Sequence, residues 1–204
     1  MVDKKTLIDS LHFRHACKVF DESKKIETKD LEFILEAGRL SPSSFGMEHW
    51  RFIVVQSDEL KNKMRPLCWD QPQITSCSDL VVVVSKTQKV TQQAYYTQML
   101  GRRGLPQEQL NAYLEIYGNF IQALDSPLSW SAKQCYIASA NMMSYAALIG
   151  IDSCPIEGFE KEPLEELLGI DESEDIALLL PFGYRLNPQS DKLRLPLDEI
   201  VEYR

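Results

Sequence analysis

Hydrophobic spacing divides the chain before any single residue identifies it. Leu7, Ile8 and Leu11 fall on one side of a helical turn, so residues 3–13 are predicted as a short amphipathic helix. A second helix is predicted from Thr28, a residue type that caps helices. Leu31, Ile34, Leu35 and Gly38 then follow at i, i+3, i+4 and i+7, and Ser-Pro-Ser-Ser at 41–44 stops the run. WRFIVVQ at 50–56 and LVVVVS at 80–85 are short and β-branched, which predicts strands. Residues 107–124 and 128–149 predict two longer helices. IDSCPIEGF at 151–159 reads as a strand leading into a loop, and IALLLPFGYR at 176–185 as another buried strand. The order is helix, helix, strand, helix, strand, two long helices, strand, helix, strand. It implies an α+β fold, with a central mostly antiparallel or mixed sheet surrounded by helices.

The helix at 128–149 carries apolar or small residues on more than one face: Trp130, Ala132, Tyr136, Ala140, Met143 and Ala147. Such a helix is expected to be buried, in the core alone or in the core and against a second subunit. Its most hydrophobic window, 135–151, is broken by Ser139, Asn141 and Ser144 and is shorter than the roughly 20 apolar residues of a membrane span. No repeat or Pro/Gly/Ser-rich linker divides the chain, so residues 1–204 read as one domain.

Charge and composition narrow the chemistry. A formal net charge of −8 argues against nucleic acid or an acidic membrane as partner. The five cysteines form no C-x-x-C pair and suit reduced thiols, and the three histidines have no metal-ligand spacing, so no metal is expected. With no apolar targeting segment at the N-terminus, the expected location is cytoplasmic. Nine glycines supply neither a dinucleotide fingerprint nor a P-loop, and a serine-hydrolase elbow is missing as well. Glu165 and Glu166 read as a solvated helix face.

One basic cluster stands out in this acidic chain. FRHACKVFD at 13–21 places Arg14, His15 and Lys18 within five residues, and DKLRLP at 191–196 adds Lys192 and Arg194 near the other end. Arginine offers a planar fork for two phosphate oxygens and lysine a compact charge, so the two stretches could converge on one phosphate. They could equally be solvated surface.

The wider pattern bears on this choice. RHACKVFD, RLSPSSFGMEHWRFIVV, AKQCYIASANMMSYAALIGIDSCPIEGF, LPFGYR and KLRLP occur in that order. Together they resemble the FMN-dependent nitroreductase family, in particular its oxygen-insensitive NAD(P)H nitroreductase and dihydropteridine reductase-like branch. The resemblance implies a nitroreductase-like α+β homodimer with FMN at the subunit interface and the long helix contributing to that interface. Arg14, Lys192 and Arg194 would hold the phosphate, helped by the backbone at His15 and Ala16. Lys18 would face the flavin N1 and C2 carbonyl. Pro155, Ile156, Glu157 and Gly158 would pass along the ring, with backbone amides toward N5 and O4. Pro42, Ser43, Ser44 and Gly46 would come from the partner chain, and Gln71 and Gln134 would approach the flavin or its ribityl chain.

The implied activity is ping-pong transfer of two electrons from NADH or NADPH to nitroaromatics, quinones or similar flat electron-poor acceptors. No side chain would be an obligatory catalyst. Ala16, Gly46, the Glu48-His49 pair, Gln71 and Ile74 depart from the family pattern, which leaves substrate choice open. Dihydropteridine reduction, another flavin reaction, a non-catalytic FMN-binding protein and a cofactor-free helical interaction module remain alternatives. Tyr95, Tyr96, Tyr113, Tyr117 and Phe120 fit either a substrate lid or helix core.

Overall fold

The computed structural model describes residues 3–204. Helix α1 (Lys4–Phe13) begins where the Asp3 carboxylate accepts from the Thr6 amide at 2.9 Å. Helix α2 (Thr28–Arg39) differs from expectation at its start. Glu27 holds the cap position without a side-chain cap bond, and Thr28 is already helical. Strand β1 (Trp50–Val55), α3 (Asp58–Leu67), the single turn α4 (Gln73–Ser76) and β2 (Asp79–Ser85) follow. Then come α5 (Gln93–Gly101), α6 (Gln107–Gln122), α7 (Pro127–Leu148), β3 (Asp152–Ser153), α8 (Lys161–Leu168) and β4 (Asp175–Gly183). α5 escaped the pattern reading because QAYYTQMLG carries no clean apolar stripe; only Met99 and Leu100 in it are buried.

The strands form one sheet in the order β1-β2-β4-β3, antiparallel at every pairing. β2 is central and buried along its whole length, which is why it reads as a continuous apolar run rather than an alternating one. Alternation still sorts its side chains. Leu80, Val82 and Val84 pack with Met64, Ile74 and Leu164 beneath α3, α4 and α8. Val81 and Val83 pack with Ile34, Cys135, Met142 and Ala146 on the side of α2 and α7. Gly38 lets those two helices close, since a Cβ there would lie 2.8 Å from Met142 Sδ.

Within one chain α7 is buried along one side only, so the core alone does not cover it. Ser131, Cys135, Ala138, Ser139, Met142, Ala146 and Ala147 face the core, whereas Tyr136, Ile137, Ala140 and Tyr145 are exposed in the chain. The apolar side of α1, with Leu7, Ile8 and Leu11, is likewise uncovered. A third small core answers the question left open by the 86–125 aromatics. Tyr117 is fully buried, with Phe45, Tyr95, Tyr96 and Trp130 around it, while Tyr113 is exposed beneath the Arg103 guanidinium. Among the described residues, no helix is long and apolar enough to cross a membrane.

Candidate functional site

The two basic stretches meet. Beyond α1 the chain runs alongside β3, where Ala16 bridges Ser153 and the Cys17 amide donates to the Ser153 carbonyl at 3.0 Å. The segment after β4 folds back across this run. Lys192 Nζ donates to the Arg14 carbonyl and Gln189 Nε2 to the His12 carbonyl at 3.0 Å. The result is a cleft of about 470 Å³ lined by Arg14, His15, Ala16, Pro155, Lys192 and Arg194, with one acid, Asp191, among them.

The electrostatics of that cleft are those of crowded cations. Burial and the neighbouring Arg14 and Arg194 charges hold Lys192 below the usual lysine range. His15 is also held below its ordinary value, by burial and the Arg185 charge, with Asp152 opposing. Among the described residues, the amides of His15 and Ala16 and the Arg14 guanidinium have no hydrogen-bond partner. Cations brought together beside free N–H groups form a receptor for a multiply charged oxyanion.

Two residues that composition and spacing had not singled out frame this arrangement. Asp152, nearly fully buried on β3, pairs with Arg185 Nη2 at 2.6 Å and accepts from the Arg185 amide at 2.9 Å. Arg185 in turn lies over the Phe13 ring at 4.1 Å, donates to the Phe13 carbonyl at 3.2 Å and holds Gln189 at 2.7 Å. One ion pair therefore anchors both walls of the cleft. The only hint in the sequence was that Arg185 ends the LPFGYR segment.

A second part of the site continues from the first along residues 154–160. Ile156 exchanges two 2.9 Å hydrogen bonds with Leu179 on β4, and the Glu160 amide donates to the Leu67 carbonyl at 2.8 Å. Between them, the Gly158 carbonyl accepts from Gln71 Nε2 at 2.9 Å. Pro155 and Glu157 face outward, and the amides of Glu157 and Gly158 have no partner among the described residues. Gly158 is required here by packing: a Cβ would sit 2.5 Å from the Trp69 ring. Lys18 Nζ reaches Cys154 Sγ at 3.7 Å, and burial raises that thiol's pKa against the pull of Lys18. Ile74 is core, fully buried under β2.

The remaining candidates form a separate group. The Ser44 amide donates to Gln134 Oε1 at 2.9 Å, and Ser43 Oγ accepts from the Glu48 amide at 3.0 Å. Phe45, Gly46 and Glu48 all have positive φ, with Phe45 anchored edge-on against Tyr117 at 5.0 Å. Arg103 Nη2 holds the Phe45 carbonyl at 2.7 Å, and Arg102 pairs with Glu48 at 2.5 Å. Within the described residues, no hydrogen bond or ion pair joins this loop, with its Pro42, to the Arg14 cleft. Another groove, of about 510 Å³, lies over β1 and α2, but there Glu32, Glu36 and Glu48 balance Arg39 and Arg51.

Known proteins resemble this chain in sequence and in fold. The sequence profile described as the nitroreductase family matches residues 11–184. Over 220 residues the chain is 40% identical to YfkO of Bacillus subtilis, named for an inferred NAD(P)H nitroreductase activity, with both chains fully covered. It is 38% identical over 214 residues to SH0546 of Staphylococcus haemolyticus, named for the same inferred activity, with 98% of each covered. Among solved structures, a nitroreductase-like protein from Exiguobacterium sibiricum, described as a complex with FMN, superposes with a TM-score of 0.82 at 24% identity, over 100% of this chain and 98% of that one. YdfN of Bacillus subtilis gives 0.89 at 22% identity, over 99% and 100%.

The chain has the nitroreductase fold. It belongs to the nitroreductase family and is an oxidoreductase of that type.

Proposed function

We propose that this protein binds FMN and acts as an NAD(P)H-dependent reductase of flat, electron-poor acceptors such as nitroaromatics and quinones. The observation that carries this reading is the meeting of Arg14, Lys192 and Arg194 in one cleft, close enough for two of the charges to depress the third. That donor set, with the His15 and Ala16 amides, fits a terminal phosphate of charge near −2. The outward amides of Glu157 and Gly158 fit the N5 and O4 edge of a flavin, and Lys18 fits its N1 and O2 edge.

FMN held there by Arg14, Lys192, Arg194 and the 155–158 strip would supply two-electron transfer between NADH or NADPH and the acceptor, one pocket serving both in turn. The chain's own work is placement and charge. Arg14, Lys192 and Arg194 hold the phosphate end. The strip at 155–158 orients the ring, and Lys18 supplies positive charge where reduction builds negative charge. No residue need move a proton, because water can reach an exposed pocket.

The protein would work as a homodimer. Leu7, Ile8 and Leu11 on α1, Tyr136, Ile137 and Tyr145 on α7, and Leu193, Leu195 and Leu197 in the tail leave apolar area uncovered in a single chain. The Pro42, Ser43, Ser44, Gly46 and Gln134 group stands apart from the Arg14 cleft and would complete the partner's site. One domain per chain would carry everything else. Five buried, unpaired thiols suit a reducing cytoplasm.

The test is the visible spectrum of the purified protein, followed by anaerobic addition of NADH and then NADPH. A flavin spectrum that bleaches and returns on adding a quinone or nitroaromatic supports the enzyme. A flavin that no reduced nicotinamide bleaches leaves only a binding protein. Colourless protein that takes up no added FMN refutes the reading.

A further inference from the structure

The turn after α3 places two successive side-chain-bearing residues, Trp69 (φ 54°) and Asp70 (φ 51°), in the left-handed region. Residues with a side chain are rarely found in this region and stay there only where their surroundings hold them. Here they do. The Asp70 amide donates to the Arg65 carbonyl at 3.1 Å, Arg65 Nε to the Asp70 carbonyl at 3.3 Å, and the Gln71 amide to the Cys68 carbonyl at 3.2 Å.

The turn aims two side chains at the strip 156–160. Trp69 stays 65% exposed, covers Gly158 and donates from Nε1 to Glu160 Oε1 at 2.8 Å. Gln71 donates from Nε2 to the carbonyls of Gly158 at 2.9 Å and Cys68 at 3.0 Å. Behind it Gln73, 1% exposed, donates from Nε2 to Gln71 Oε1 at 2.8 Å. The Gln71 amide is therefore engaged at both its nitrogen and its oxygen.

We propose that Gln73 and Gln71 form a positioning relay, in which the buried Gln73 amide fixes Gln71, and Gln71 fixes the Gly158 carbonyl. The relay thereby sets where the Glu157 and Gly158 amides point toward the flavin edge, and in this respect the inference rests on the FMN reading above. The strip is tied at alternate residues: Ile156 to β4, Gly158 to Gln71, and Glu160 to the Leu67 carbonyl. Without the middle tie, the peptides between Ile156 and Glu160 can rotate, and both free amides lose their direction.

Two variants test the relay. Gln73→Met keeps the length of the buried side chain and removes its amide. Gln71→Asn keeps an amide one methylene too short, at a half-buried position where folding is not at stake, so it carries the test if the first variant misfolds. Hydrogen exchange at the Ile156 and Glu160 amides is measured in the protein as purified, and the flavin midpoint potential in the FMN-loaded form. The expected result is exchange at least tenfold faster at both amides. The relative affinity for oxidised over reduced FMN should also change fivefold or more, about 20 mV for two electrons. Exchange as in wild type, or a loaded variant whose relative affinity changes by less than fivefold, overturns the proposal. If the wild type binds no FMN, the function fails separately, and the exchange rates still decide whether the relay holds the strip.

Discussion

Replacing Arg14 by alanine tests the phosphate cleft at its least ambiguous point. The residue ends α1, where its amide donates to the Ser10 carbonyl at 2.9 Å and its own carbonyl accepts from Lys192, contacts that alanine retains. The guanidinium makes no ion pair or hydrogen bond among the described residues, so its loss should leave thermal stability nearly unchanged. What is lost is a charge-assisted contact to the phosphate, worth about 1.5–3 kcal/mol. At 1.4 kcal/mol per decade, that is roughly a ten- to 150-fold rise in the FMN dissociation constant. Relief of Lys192, whose pKa Arg14 helps to depress, returns part of the loss and favours the lower half of the range. The assay is a fluorescence titration of FMN into flavin-free protein, with riboflavin in parallel. Riboflavin lacks the phosphate, so its affinity should not change. Equal weakening of both ligands, or an unchanged FMN constant, would refute the assignment.

Two further outcomes follow from other parts of the molecule. Lys18→Met removes the cation proposed to face the pyrimidine edge, so the flavin midpoint potential should fall by about 20–40 mV, equivalent to about 1–2 kcal/mol over two electrons; no change or a rise in a spectroelectrochemical titration counts against its role. His49, fully buried with Nδ1 3.2 Å from Ser131 Oγ, is pushed down to about 4 by burial. Between about pH 6.5 and 4 the unfolded chain therefore binds a proton that the folded chain refuses, so the part of the stability that rests on a neutral His49 falls as pH drops through that window, by about 3 kcal/mol, and this part levels off below it. Urea denaturation of wild type and His49→Gln across pH 7 to 4 checks this, since the variant should lack that part of the decline; parallel curves would mean that His49 is not held neutral.

How much of this was legible depended on where each residue finds its partner. The strands and long helices were legible because burial repeats at short range: β2 is apolar over five successive residues, and α2 keeps Leu31, Ile34 and Gly38 on one face. The charge of the cleft was also legible, since Arg14 and Lys192 stand out in an acidic chain although 178 positions separate them. Its framing was not. Asp152 looks like one acid among 30, and nothing local says that it will be buried against Arg185 rather than solvated.

The same limit explains α7 and the Trp69 turn. An apolar stripe shows that a helix face avoids water, but not whether its own chain or another covers it; hence Tyr136 and Ala140 could be assigned to the core or to a second subunit, and their own chain leaves them exposed. A left-handed tryptophan has no composition signal, because its conformation is imposed by bonds to Arg65 and Cys68 rather than preferred by the residue itself. Glutamines are the extreme case. The resemblance brings Gln71 near the flavin but does not foresee that it holds a carbonyl 87 positions away, and Gln73 looks like an ordinary surface polar residue until the fold buries it behind Gln71. Residues that bind through charge can thus be found from a pattern, whereas residues that aim a backbone emerge only when the far strand is in place.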